Sequence, residues 1–286
     1  MKLKEPISLT IKREVEDFKQ ECKIADNYSF NQYNTIRRIN LYLNDQYMQR
    51  QEDNLIFWNI STARVVHFAK NIDLDTKDLQ PIAKGDANFM QGWILKLRFQ
   101  KWCKDNKLSL TLNDLSEGIA SYGSIVWKLY YDYETKESKL VEADLRNLYF
   151  SPTVKCIRKA NVVELHYLSE IEIREKDGAW DNIEDVLKNA IKTNGDTKAA
   201  EANRYSNREI WERWGGVIDE NNKTHYMHYI GAGYGDKEVI AFEEEVDCED
   251  MPYYDFHIGR YRGRWMRVGV VERLFKLQER ANAVVN

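Results

Sequence analysis

The hydrophobic period of the chain changes at Gly123, and that change limits the folds open to it. Upstream, apolar residues recur every three or four positions, as amphipathic helices require. In "NQYNTIRRINLYLND" the spacing aligns Tyr33, Ile36, Ile39 or Asn40, and Leu43, and in "NLIFWNISTARVVHFAKNI" it aligns Leu55, Trp58, Thr62 or Ala63, Val66 and Ala69, both as core-facing stripes. "ANFMQGWILKLRFQKWCKD" carries Phe89, Trp93, Leu97 and Lys101 or Trp102 at helical spacing, and "LTLNDLSEGIASYG" carries Leu112, Leu115 and Ile119 before Gly123 closes the helix. Downstream, "SIVWKLYYDYETKESKLVEAD" alternates residue by residue and turns in a polar run, which predicts a β-hairpin near Ser124 to Asp144. Helices first and strands afterwards argue for an α+β chain with a mostly antiparallel sheet, since a doubly wound parallel sheet needs the two kinds of element to alternate.

More strands are expected in "NVVELHYLS", "REIWERWGG", "THYMHYIGA" and "KEVIAF", with a helical insert at "WDNIEDVLKNAI". "GAGYGD", Gly231 to Asp236, has the glycines of a phosphate loop but lies between two strands and lacks a Lys-Ser/Thr end, so it reads as a hairpin turn. The last segment, "HIGRYRGRWMRVGVVERLFKLQERANAVVN", ends in an amphipathic helix whose inner face is Val271, Leu274, Gln278, Ala281 and Val285. No Gly or Pro stop signal follows, which suggests that the natural chain continues past Asn286.

A chain of 286 residues, 43% of them hydrophobic, can bury one large or two ordinary cores. Its net charge of -4 argues against coating nucleic acid with bulk positive charge, so any DNA contact has to be local. Cys22, Cys103, Cys156 and Cys248 are far apart, without the spacing of a zinc site or a disulfide framework. The N-terminus lacks a signal-peptide pattern and no apolar run approaches the ~20 residues of a bilayer span, so a soluble protein made in a cytoplasm is expected.

The five histidines, His67, His166, His225, His228 and His257, show no metal-ligand spacing, and no nucleophile beside a base can be named. The acidic run "FEEEVDCED" reads as a solvated or ion-paired loop. A basic cluster stands out: Arg260, Arg262, Arg264 and Arg267 interleave with Tyr261 and Trp265 just before the final helix. Guanidinium forks can hold phosphates, and aromatic faces beside them suit nucleic acid. They can equally pair with carboxylates, in the Glu243 to Asp250 run or on a neighbouring subunit, and the negative total charge favours that second use.

The order of these pieces resembles the portal proteins of tailed bacteriophages over nearly the whole chain. The resemblance rests on an early helix with an Asn before an apolar run (Asn54 to Val66), Tyr122-Gly123 before a hairpin, and Phe150-Ser-Pro152 after a strand. Pro252, Gly269, Gln278 and Asn282 complete it around the final helix. It implies residues 1–30 as an N-terminal arm, 31–255 as an α+β wing-like domain, and 256–286 as a connector and the start of a stem helix. It further implies a ring of identical subunits, a dodecamer in the family, at one capsid vertex of the virion, assembled in the bacterial cytoplasm. Double-stranded DNA would pass through it, and the major capsid protein, the terminase motor and a head-tail connector would dock on it. Portals carry no catalytic residues, cofactor or metal of their own and do not enter a membrane. Arg260, Arg262, Arg264 and Arg267 then become candidate interface or DNA-contact residues, and Val271, Leu274, Gln278 and Ala281 candidate stem-helix packing residues. The alternatives are a nucleic-acid-processing enzyme and another kind of phage structural protein.

Overall fold

A computed structural model of the chain describes residues 5–44, 58–72, 74–82, 89–132, 136–192, 207–247 and 251–285. It opens with helix α1 (Ile7–Phe18) and a small antiparallel ribbon, β1 (Cys22–Ala25) and β2 (Tyr28–Phe30). Four helices follow, α2 (Gln32–Leu43), α3 (Ile60–Ala69), α4 (Phe89–Asp105) and α5 (Leu108–Tyr122), and then the hairpin β3 (Ser124–Asp132) and β4 (Glu137–Glu142). Next come β5 (Leu148–Tyr149), β6 (Val162–Leu168), α6 (Glu170–Arg174), α7 (Ile183–Asn189), β7 (Ile191–Lys192), β8 (Arg208–Ile218), β9 (Thr224–Ala232) and β10 (Val239–Glu245). Strand β11 (Tyr253–His257) and helix α8 (Val270–Val285) end the described chain. All named strands pair antiparallel, so the class is α+β, as the period change predicts.

The chain divides into two compact units, and the division differs from the arm, wing and connector drawn from the sequence. One unit takes Met1–Tyr33 and Asp144–Pro252; the other takes Asn34–Ala143 and Tyr253–Asn286. The 1–30 segment is therefore not a separate arm. Its helix places Ile7, Ile11 and Val15 one turn apart in the core of the first unit, against Val163, Leu165, Trp211, Met227 and Tyr229. A boundary at 255 also falls inside β11, which adds a third strand to the expected hairpin in the order β11-β3-β4.

In the first unit the strands run β10-β9-β8-β6-β5, with β7 also pairing β8. One charged contact fixes α1 on this sheet: Arg213, 1% exposed, donates through Nε and Nη2 to the two oxygens of Glu14, each at 2.8 Å. Asn161 donates to the same carboxylate at 3.0 Å and accepts from the Gly216 amide at 3.0 Å, so both oxygens of Glu14 are engaged. Toward one end of the sheet, Ile173, Val186 and Leu187 of α6 and α7 close over Ile210, Ala232 and Ala241. The periodicity predicts α7 but not α6, although Ser169 and Glu172 form a reciprocal capping box whose S-x-x-E signal is present in the sequence. "GAGYGD" is the β9–β10 turn, with Gly233 and Gly235 at positive φ.

In the second unit α5 buries Leu112, Leu115 and Ile119 against Ile125 and Trp127 of β3. The other helices depart from their predicted stripes. In α2 Tyr42 is buried where the spacing puts Leu43. In α3 Ser61 and Val65 face inward, while Trp58 is 60% and Val66 44% exposed. The expected inward Leu55 lies outside the described residues. Helix α4 forms where expected, but only Cys103 of it is buried, and Phe89, Trp93 and Leu97 are exposed.

The first unit's tyrosines make its stability depend on alkaline pH. Burial raises the phenols of Tyr149 and Tyr234 far above their ordinary range, and raises Tyr229 to about 12 with help from the Glu243 charge. An unfolded tyrosine ionises near ~10. A raised folded value means that this stabilisation is complete below that pH and is lost as pH rises through the folded values. Absorbance titration at 295 nm should therefore show these phenols ionising together with loss of ordered circular dichroism; reversible ionisation of all the tyrosines near pH ~10 in the folded protein would contradict the packing.

Candidate functional site

The residues marked by sequence as a candidate site converge in the second unit, around the seating of α8. Two residues of that helix, Gln278 at 0% and Asn282 at 1% exposure, are polar and fully buried, which needs compensation by hydrogen bonds. The compensation comes from the start of α3. The Gln278 Oε1 accepts the amides of Ile60 (2.9 Å) and Ser61 (3.2 Å) and the Ser61 hydroxyl (3.2 Å). Its Nε2 donates to the Trp58 carbonyl and to Asn282 Oδ1, and that oxygen also accepts the Trp58 amide at 3.2 Å. Asn59 caps the same helix by accepting the Thr62 amide at 2.8 Å. The first three N–H groups of α3, which no helix can satisfy internally, thus all find side-chain oxygens. This polar seat turns Ser61 and Val65 inward in place of the expected Trp58 and Val66, because α3 is aligned by its amides rather than by its largest apolar residues.

Next to Gln278 on α8, the Glu279 carboxylate takes Arg38 and accepts the Tyr42 hydroxyl at 3.1 Å. The Arg38 guanidinium lies 4.2 Å from the centre of the Phe275 ring. Val271 is fully buried and Leu274 and Ala281 are half-buried, as the spacing predicts, but Val285 of the predicted inner face is 39% exposed and Asn282 is the buried residue near that end of α8. The helix starts where two glycines let backbones touch. A Cβ on Gly123, which is at φ +77°, would lie 2.6 Å from the Arg267 carbonyl, and one on Gly269 would lie 2.2 Å from the Ser121 carbonyl.

The arginine cluster separates into two pairs. Arg264 and Arg267 are buried, at 3% and 8% exposure, whereas Arg260 and Arg262 are exposed and form no ion pair with the described residues. Arg264 Nη2 lies 2.8 Å from each oxygen of Glu272, in the first turn of α8, where an anion also suits the helix dipole. The expected pairing with carboxylates therefore holds for Arg264 through Glu272; residues 248–250 of the Glu243 to Asp250 run lie outside the described chain. Arg267 departs from the expectation. It donates to the carbonyls of Arg264 (2.6 Å) and Trp265 (3.1 Å) and lies 4.9 Å from the Tyr261 ring centre. Burial pulls it below the ordinary arginine range, yet a guanidinium stays charged at any physiological pH.

Beside this turn, His257 links Ser124 Oγ (2.8 Å) to Asp255 Oδ2 (3.0 Å), a chain of contacts that resembles a nucleophile, base and acid. Ser124 is 0% exposed, its oxygen accepts the Arg267 amide at 2.8 Å, and Asp255 also accepts the Trp265 indole at 2.9 Å. A hydroxyl so enclosed cannot meet a substrate, and the set ties the turn to β3. The second unit also carries an open groove of about 770 Å³ lined by Phe99, Cys103, Leu110 and lysines, where burial pushes the Cys103 thiol up, away from the reactive thiolate. Among the described residues no helix is long and apolar enough to cross a membrane. No protein-family model matches the chain, and comparison with curated proteins finds no match.

Three substitutions test the site. Gln278→Leu keeps the volume but strands the α3 amides, each buried unpaired donor costing about 1–3 kcal/mol, and should lower stability by about 3 kcal/mol in denaturant unfolding. Arg264→Ala leaves Glu272 without its buried partner and should cost about 3 kcal/mol, against less than about 0.5 kcal/mol for Arg262→Ala. Equal effects of the two arginine variants would refute the division of the cluster.

Proposed function

We propose that the chain is a subunit of a phage portal, the ring through which double-stranded DNA enters and leaves a capsid at one vertex. One observation carries this reading: five of the residues on which the family resemblance rests, Tyr122, Gly123, Gly269, Gln278 and Asn282, have connected physical roles in the second unit. Gly123 and Gly269 permit the close approach at the start of α8, and Gln278 and Asn282 seat that helix on the start of α3. Tyr122, the other half of the Tyr-Gly pair, donates to Asn40 at 2.6 Å in the same unit. A family motif maintained by structure would be expected to fall in this way.

In this reading α8 belongs to the stem, the antiparallel sheets belong to the wing, and the chain acts mechanically, without catalytic residues or cofactor. Terminase, head-tail connector and major capsid protein are its partners in the virion. Ring closure requires heterologous contacts, in which one patch meets a different patch on the next copy. The exposed apolar side of α4 supplies a suitable surface, with Phe89 at 87%, Met90 at 57% and Trp93 at 50% exposure. We assign the neighbouring subunit to that face. Arg260 and Arg262 are available for the same purpose, since a wall that held phosphates firmly would retard the passing duplex through the salt-dependent cost of counterion release.

Native mass spectrometry and sedimentation at several salt concentrations test the assignment. A single closed oligomer is expected, with Trp93→Glu or Phe89→Glu shifting it to monomer while circular dichroism is unchanged. Arg262→Ala should weaken assembly before it alters DNA crosslinking. A wild-type protein that stays monomeric throughout would remove the portal reading.

A further inference from the structure

The sheet of the first unit brings together side chains that no spacing in the sequence connects. Glu164 on β6 and Glu212 on β8 are direct cross-strand partners, and both are buried, at 8% and 6% exposure. Like charges set directly opposite repel, and burial strengthens the effect. His166, two residues along β6 and so on the same face, directs Nε2 toward both carboxylates. It lies 2.8 Å from Glu212 Oε2 and 3.7 Å from Glu164 Oε2. One ligand atom from each of the three residues falls within 4.8 Å of the others.

These separations match a coordination shell. A tetrahedral metal with bonds of about 2.0–2.1 Å spaces its ligands about 3.3 Å apart, between the two measured histidine–carboxylate distances. The second oxygen of Glu212 is occupied separately: Oε1 lies 2.7 Å from the Trp214 indole nitrogen and 3.1 Å from His228 Nε2. His228 stacks on Trp214 with ring centres 3.8 Å apart. Such outer contacts orient a ligating carboxylate so that its other oxygen faces the ion. The His166 side chain is 30% exposed, which leaves a path for an ion and for a solvent ligand.

We propose that Glu164, His166 and Glu212 bind a divalent transition-metal ion, with His228 and Trp214 as positioning residues for Glu212. One imidazole with two carboxylates suits Zn²⁺, which tolerates mixed nitrogen and oxygen donors without a fixed geometric preference. Bound there, the ion would convert the repulsion between two facing carboxylates into a crosslink between β6 and β8. The inference is independent of the portal reading, because it depends only on the first unit's sheet.

Metal-stripped full-length protein titrated with ZnCl₂ by calorimetry and thermal melting tests it. The expected result is one Zn²⁺ per chain and a melting temperature that rises with Zn²⁺, with far weaker responses to Mg²⁺ and Ca²⁺. His166→Ala and Glu164→Gln should abolish saturable binding, and His228→Phe should weaken it roughly 10-fold while keeping the stoichiometry. His225 also lies beside carboxylates, 2.8 Å from Glu245, so His225→Ala serves as the control and should bind like wild type. If a variant fails to fold, CoCl₂ added to the wild-type protein gives a readout without substitution, since tetrahedral Co²⁺ absorbs strongly in the visible and the hydrated ion does not. Absence of saturable Zn²⁺ binding, its persistence in His166→Ala, its loss in His225→Ala, or a Co²⁺ spectrum of the hydrated ion would each overturn the proposal.

Discussion

Gln278 is the side chain on which the arrangement of the helical unit depends. It is fully enclosed, and it lends its oxygen to two amides that α3 cannot satisfy from within. A leucine could fill the same space, but it would leave those amides without partners, and the loss would fall on the buried N–H groups more than on the side chain itself. The glutamine therefore couples two helices through chemistry that tolerates little sliding: a shift of α8 by one residue would remove its oxygen from the amides.

The start of α8 is controlled with similar strictness. Gly123 and Gly269 allow backbones to approach where a methyl group would collide with a carbonyl, and the buried Arg264–Glu272 pair ties the preceding turn to the first turn of the helix. Burying a paired charge adds little net stability, but removing one partner is costly, so the pair acts mainly to exclude other arrangements. Glu14 and Arg213 do the same for α1 in the other unit, where hydrophobic contacts alone would allow the helix to slide along the sheet.

Much of the fold is legible in the sequence because periodicity reports which faces are buried. The hairpin β3–β4, helix α5 with its Gly123 stop, the "GAGYGD" turn and the inner face of α8 from Val271 to Ala281 follow directly from it, whereas Val285 is exposed and Asn282 is buried in its stead. It fails where polar groups or missing neighbours decide orientation. Trp58 and Val66 look inward by spacing, but the hydrogen bonds of Gln278 and Asn59 turn α3 so that Ser61 faces the interior. Helix α4 has the composition of a core helix and is exposed, since helical spacing alone does not report whether an apolar face finds a neighbour within the chain. Among the arginines, spacing does not separate buried Arg264 and Arg267 from exposed Arg260 and Arg262. Nor can it reveal Glu164, His166 and Glu212, because strand pairing joins positions 46 residues apart.

In the proposed ring, the helix held rigidly at its base would leave the exposed apolar and cationic groups of the surface to meet other copies. Stiff internal anchoring with unspent surface is what a subunit of a load-bearing ring needs, since each interface must transmit force without rearranging the subunit. Electron microscopy of the purified full-length protein tests this most directly. The account predicts end-on views of a closed ring of identical subunits around a central opening wide enough for duplex DNA; a uniform population of single compact particles, or open chains without a hole, would contradict it.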